Sequence, residues 1–399
     1  MALISLSTVV ATRLLSYGVL LTRYEDAFGH QAWNLEYYAK KYYAIHGRFP
    51  KFVAFQRSNY AANKSLLNHH RHNGVHIFSP NSLLSYLFRL SRGAQKSEYT
   101  RTRSNYKNQS SAFLFCTFTM NELHVDPISC QNLPLAFPLS NEENQEAAKV
   151  LEVIGLLDST YFCFQDRNYR YKKVIANDIG RPRFLERQRF ENARNTSLSS
   201  FQLTIKDMAS RDLTPVRIGA YPEQSCEFKE VIDYSSIRDT HSDFSDLAIM
   251  NSAKFFVGPN SGLWLFARSF DRPVCLINVF PWPWINLPMK KDDLVLPKKL
   301  WDKNMKKLLT VRQMAELESK FHWKNFYDDN FFDQISIEVI DNTPEEIRAA
   351  VSELNDRLDH KWAGPDNLVS SYLNQNNVAI NTEASFPEQF VEANPELFT

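Results

Sequence analysis

Phe255-Phe256-Val257-Gly258-Pro259-Asn260-Ser261-Gly262-Leu263 (FFVGPNSGL) decides how the second half of this chain is read. An apolar run ends in Gly258, a Pro-Asn-Ser-Gly turn follows, and Leu263–Phe270 (LWLFARSF) continues with helical spacing. Ser261 is placed to cap that helix while offering a hydroxyl, and Gly258 and Gly262 let backbone approach a ligand closely. The N–H groups of the first helical turn carry a partial positive charge that suits a phosphate. The alternative reading is a plain strand–turn–helix with a serine cap.

Outward from this turn, strands and helices alternate. Tyr161–Gln165 (YFCFQ) is a continuous apolar strand, Ser200–Ala209 has helical spacing, and Pro215–Ile218 (PVRI) and Val231–Tyr234 (VIDY) return as strands. Phe244–Ser252 is a short helix, Lys254–Gly258 a strand, and Val274–Val279 (VCLINV) another strand. The pattern predicts a doubly wound α/β domain over residues 161–280.

The first half shows the same alternation more faintly. Ser16–Thr22, Phe52–Phe55 and Val75–Phe78 read as strands, with helical spacing from Trp33 to Tyr43 and from Asn63 to His72. A polar turn holding Gly29 and His30 precedes the first helix. A helix over Asn141–Leu156 leads into the second half. Near the end, Ile335–Ile340 alternates as a strand, and Thr343, Pro344 and Glu346 form a capping box that starts a helix to about His360. We expect two Rossmann-like domains, residues 1–150 and 151–345, followed by a crossing helix and tail over 346–399 that packs loosely or reaches back across the molecule.

Composition narrows the function classes. The 399 residues carry a formal net charge of +1, with 44% hydrophobic and 23% charged residues, so nothing global steers the chain to nucleic acid. Five scattered cysteines without a C-x-x-C pair suit reduced thiols in a cytoplasmic protein. The first 21 residues are fairly apolar, but Arg13 interrupts them and no basic segment opens them, so a core strand is favoured over a cleaved signal. Arg89–Ser110 is a polar, basic loop, either solvated or facing an acidic ligand.

In open α/β sheets ligands gather at the carboxyl ends of strands. Those ends here present Arg167, Gly219 and the Asn260-Ser261-Gly262 turn. Arg167, Arg194 and Arg217 supply the forked, permanently charged donors that a diphosphate requires. Arg217 lies inside a strand, where its charge needs a partner; a salt bridge to Asp233 or Asp246 is the structural alternative. His69, His70, His72 and His76 are dense, yet no cysteine or carboxylate joins them at ligand spacing. No D-x-D, P-loop, G-x-S-x-G or G-x-G-x-x-G occurs, and no metal or cofactor is expected. Pro281–Trp284 (PWPW) and the lysines up to Lys307 form an aromatic, basic stretch, read either as a solvated loop and helix or as a peripheral membrane contact over 281–307.

Ser242–Leu263 (SDFSDLAIMNSAKFFVGPNSGL) resembles a bacterial family of glycosyltransferases linked to surface-carbohydrate synthesis. Phe28–Tyr38 (FGHQAWNLEYY), Ala62–Leu67 (ANKSLL), Ala193–Ser200 and Val216–Gly219 (VRIG) are similar to the same family, in order, over about residues 20–285. The resemblance implies a GT-B architecture with two domains facing across a cleft. It implies metal-independent transfer, of hexosyl or fucosyl type, from a nucleoside diphosphate sugar to a glycan or lipid-linked acceptor, in the cytoplasm or at the inner membrane face. It places Gly29 and His30 in a cleft-facing loop, and Arg194, Asn195, Arg217 and Asn260-Ser261-Gly262 on the donor side; His30 is our candidate for the base, with a core or loop-stabilising histidine as the alternative reading. The chain departs from the family at Gln165-Asp166-Arg167-Asn168, where a His-x-Arg-Asp-like pattern is common. Arg167 is kept, but Gln165 and Asn168 do not titrate. A catalytically silent sugar-nucleotide-binding protein of the same pathway is therefore the competing reading.

Overall fold

The computed structural model describes residues 17–20, 28–49, 51–55, 61–79, 81–83, 114–115, 133–168, 170, 174, 192–237, 242–281, 289–321, 325–326, 328–373 and 382–399. The chain divides into two compact units, Met1–Thr119 with Asn132–Ser140, and Met120–Gln131 with Asn141–Thr399. The helix Asn141–Ile154 and the residues after 345 both belong to the second unit.

The first unit is built on β1 (Tyr17–Leu20), α1 (Phe28–His46), β2 (Lys51–Phe55), α2 (Lys64–His72), β3 (His76–Phe78) and β4 (Leu114–Phe115). The strands are parallel in the order β3-β2-β1-β4. Trp33, Leu35 and Ala39 on α1 are buried with Phe52, Leu66 and Phe137. Gly29 and His30 do not lie in a loop: α1 begins at Phe28 and takes both into its first turn. The polar look of the segment hid this, because His30-Gln31 interrupts the apolar spacing that marks the helix from Trp33 onward.

The second unit carries an eight-stranded sheet. Its main elements are α3 (Asn141–Ile154), β5 (Tyr161–Phe164), α4 (Gln202–Ala209), β6 (Thr214–Arg217), β7 (Ile232–Asp233), α5 (Asp243–Ser252), β8 (Phe256–Gly258), α6 (Gly262–Ser269), β9 (Val274–Val279) and β10 (Leu294–Pro297). These strands run parallel in the order β10-β9-β8-β5-β6-β7. The chain thus winds outward from β5 to β7, returns to β8 beside β5, and winds outward again. That is the strand order of a dinucleotide-type doubly wound sheet, with its switch point between β5 and β8. Phe162, Cys163 and Phe164 are fully buried, as a central strand covered on both faces requires. Each such phenylalanine contributes about 1.5–3 kcal/mol by leaving water.

Two segments differ from the sequence reading. The lysine-rich stretch after Met289 is neither loop nor helix at its core. It forms β10 and then β11 (Lys299–Asp302), which pairs antiparallel with β12 (Lys307–Leu308) and β13 (Ile337–Ile340). The apolar run LVLP buries, and its weight was masked by the lysines that flank it. Of the two readings of the tail, loose packing is the one that does not hold, because the chain returns to the main sheet of its unit. β15 (Ser385–Phe386) extends the main sheet beside β10, and β14 (Asn367–Leu368) pairs antiparallel with β15. Tyr372, Phe386, Phe390 and Phe398 close an aromatic cluster over it. Trp282–Pro288 and Arg89–Ser110 lie outside the described residues.

Helix α7 (Val311–Lys320) precedes β13, and α8 (Pro344–Leu358) follows it. α8 starts at the expected capping box: Thr343 accepts from the Glu346 N–H, and Glu346 accepts from the Thr343 N–H. It packs against α4, β9 and β10 of its own unit.

Candidate functional site

The switch point brings the ends of β5, β6 and β8 together. Ser261 is the N-cap of α6, its Oγ accepting from the Leu263 N–H at 3.2 Å. The same Oγ donates to Gln165 Oε1 at 2.5 Å, tying the residue after β5 to the start of the helix after β8. Gly219, after β6, closes the group. A Cβ built on it would stand 3.8 Å from Gln165 Nε2 and 3.9 Å from a Leu263 methyl, and its φ of +134° is one that glycine alone adopts freely. Gly258 serves packing and not ligand approach. A Cβ there would come within 2.8 Å of the Phe256 ring, which already fills the space.

Asn260 is buried and braced. Its Nδ2 donates to the Phe280 carbonyl at 2.8 Å, and its Oδ1 accepts from the Phe280 N–H at 3.4 Å, joining the ends of β8 and β9. Its side chain therefore holds the turn in shape, and because the single Ser261 O–H is given to Gln165, the turn meets an anion through backbone N–H at the start of α6.

One short segment, residues 192–196, stitches the carboxyl ends of four strands. Arg194 Nη2 donates to the Asn260 carbonyl at 2.5 Å, at the β8 end. Asn195 Oδ1 accepts from Arg167 Nη1 at 2.9 Å, at the β5 end, and its carbonyl accepts from Lys298 Nζ at 3.1 Å, at the β10 end. Thr196 Oγ1 accepts from Asn278 Nδ2 at 3.3 Å, within β9. Asn278, left-handed at φ 49°, exchanges two hydrogen bonds with Asn342: its N–H donates at 2.7 Å and its Oδ1 accepts at 2.6 Å. Arg167, Arg194 and Lys298 are all buried along this edge.

In sequence, Lys298 belongs to the lysine-rich stretch that reads as a solvated loop and helix or a membrane contact. It is 2% exposed, one residue beyond β10, and its Nζ also donates to Asp341 Oδ1 at 2.5 Å. Burial pushes its ammonium below the ordinary lysine range; Asp341 opposes that push and Arg167 adds to it. Applying the strand-end rule to LVLP would have found it.

Arg217 takes the structural alternative. It is fully buried, grips Asp166 at two points, and donates from Nη1 to Asp233 at 3.2 Å and to the Gln224 carbonyl at 2.8 Å. Its donors are committed within the protein, so it orders the β5 and β6 ends and does not reach outward. Burial alone would raise the Asp233 carboxyl, but hydrogen bonds from Ser236, Ser235 and the Cys226 N–H, with Arg217, bring it below its ordinary value. Asn168 accepts from the Arg170 N–H at 2.8 Å and shapes the loop after β5.

In the first unit, Asn63 caps α2 through the Leu66 N–H at 2.7 Å, and its own N–H donates to Gln31 Oε1 at 2.9 Å while Gln31 Nε2 donates to its carbonyl. The two similar segments FGHQAWNLEYY and ANKSLL are thus locked to each other. The side chain of His30 lies outside the described part of the structure. His69 and His70 are buried against Phe137, with His69 Nε2 at 3.0 Å from the Phe137 carbonyl. His72 and His76 are exposed. Among the described residues, no three His, Cys, Asp or Glu side chains group as metal ligands, and no helix is long and apolar enough to cross a membrane.

No family model matches the chain, and no curated protein matches it either. Among solved structures it is similar to a glycosyl transferase family 9 protein from Veillonella parvula, at 10% identity and a TM-score of 0.44, over 85% of this chain and 97% of that one. It is also similar to the dodecameric iron-containing heptosyltransferase TibC in complex with ADP-D-beta-D-heptose, at 9% identity and a TM-score of 0.35, over 86% of this chain and 76% of that one. A second structure of TibC, from enterotoxigenic E. coli, aligns at 10% identity with a TM-score of 0.27, over 67% of this chain and 60% of that one.

Proposed function

We propose that the chain is a glycosyltransferase that moves a sugar from a nucleoside diphosphate sugar to a carbohydrate or lipid-linked acceptor. The observation that carries this reading is the meeting of a serine-capped helix start with buried Arg167, Arg194 and Lys298 at the switch point and carboxyl edge of a doubly wound sheet. A departing diphosphate gathers negative charge as the glycosidic bond breaks. Preorganised N–H donors and buried cations stabilise that charge without rearranging at the moment of reaction. The resemblance of five sequence segments to surface-carbohydrate glycosyltransferases supports the same reading. His30, in the first turn of α1, is the proposed base for the acceptor hydroxyl. Peripheral membrane contact with a lipid-linked acceptor falls to residues 281–307, in which 303–306 form an exposed turn between β11 and β12.

A second reading is favoured by one observation. The acid that follows β5, Asp166, is held at two points by Arg217, and its neighbours Gln165 and Asn168 do not titrate. A sugar-nucleotide-binding protein without turnover would tolerate that arrangement. Calorimetry with UDP, GDP and ADP, followed by donor-consumption assays with cell-envelope acceptors, separates the two. Binding with turnover supports the transferase, binding without turnover the silent protein, and no binding removes both.

A further inference from the structure

We infer that Asp341 is a built-in stand-in for the ligand's phosphate, pairing with Lys298 until a phosphate group displaces it and thereby setting the affinity of the site. The inference rests on the reading of this edge as a diphosphate site and adds a competing group within the chain.

The pair is lopsided. Lys298 is 2% exposed, whereas the Asp341 side chain is 51% exposed. A buried ammonium needs an anion, because its water is gone. A carboxylate half in water keeps much of its hydration and gains less from the contact than the lysine does. The lysine is therefore committed to its position and the carboxylate is exchangeable. Its outer face also lies open to solvent, so an arriving anion can reach the place that Asp341 occupies.

The backbone on both sides of Asp341 is held. Ile340 is paired with Lys299 in β13, and Asn342 is locked to Asn278 and donates to the Pro297 carbonyl at 2.8 Å. A rotamer change of Asp341 alone is enough to clear the ammonium, with no movement of β13 or α8. Lys298 has three N–H donors, and Asp341 and the Asn195 carbonyl take two. Arg167, bound to the other end of Asn195, adds a second positive charge that a multiply charged phosphate meets better than one carboxylate does.

The test is calorimetry of inorganic pyrophosphate and of UDP, GDP and ADP on folded wild type, Asp341→Asn, and the double variant Lys298→Met/Asp341→Asn. Asp341→Asn is expected to bind pyrophosphate about fivefold tighter or more, and the double variant to lose that gain. Unchanged or weaker pyrophosphate binding by folded Asp341→Asn overturns the inference, whether or not the double variant folds. If pyrophosphate responds as expected and no nucleoside diphosphate binds, the exchange stands and the donor reading fails. If a nucleoside diphosphate binds and Asp341→Asn tightens neither it nor pyrophosphate, the donor reading stands and the exchange fails. Absence of binding by every protein to every probe overturns both.

Discussion

Asp166 and Arg217 meet at two points across adjacent parallel strands, Nε to Oδ1 and Nη2 to Oδ2, each at 2.7 Å. Phe164 is the register partner of Arg217, so the ion pair sits just past the last rung of the β5–β6 ladder. It fixes the two strand ends between which Gln165 and Gly219 stand. Arg217→Ala leaves a mostly buried carboxylate without its partner, and the expected loss is about 3–5 kcal/mol of stability. Urea unfolding measures it; a folded variant of wild-type stability that has lost nucleoside diphosphate affinity would instead make Arg217 a direct ligand.

Asp233, on the other side of the same guanidinium, gives a pH dependence with a definite sign. Its carboxyl lies below the ordinary value in the folded protein. The folded state therefore binds this proton less readily than the unfolded state does, and the contribution is complete above an unfolded pKa of about 3.9. It is lost as pH falls through the lower, folded value. Asp233→Asn should cost about 1–3 kcal/mol at pH 7, and the gap to wild type should narrow at pH 3. Denaturation midpoints at the two pH values check this.

Gly258→Ala places a methyl 2.8 Å from the Phe256 ring, and a Cβ fixed by the backbone has no torsion with which to move away. We expect a loss of about 1–3 kcal/mol. Phe256→Leu in the same chain should restore part of it, since a smaller side chain vacates the contested space. Thermal melts of the single and double variants decide whether the clash, and not a lost ligand contact, explains the glycine.

Ser261→Ala removes both the cap of α6 and the bond to Gln165. Loss of the cap costs about 0.5–2 kcal/mol. If the turn holds a diphosphate, affinity for it should fall as well. The parallel variant Thr343→Ala removes the cap of α8 and should lower stability similarly while leaving that affinity unchanged.

Much of the second unit was legible in the sequence because its strands are buried on both faces. YFCFQ and VCLINV are apolar runs with no competing period, and β9 begins and ends where the pattern put it. Thr343, Pro344 and Glu346 announced α8 through local chemistry alone. What was hidden depended on partners distant in sequence. LVLP is four residues long and ringed by lysines, so only the strand beside it shows that it belongs to the sheet. Lys298 looked like its neighbours until the fold buried it. Arg217 could have faced a ligand or an acid, and the second acid that claimed it, Asp166, lies 51 residues away. Asn195 carried no signal beyond the family resemblance, yet it is where two buried cations meet.

The pairing of β10 with β15 has a consequence for how the chain is made. β10 is an interior strand only once Ser385 lies beside Leu294. Until residues 298–384 have followed it out of the ribosome, its outer edge stays unpaired, and an open apolar edge recruits strands from other chains. A nascent or truncated chain stopping before Ser385 should thus accumulate in aggregates or on chaperones. Its remaining strands and the whole of the candidate site would already have been synthesised.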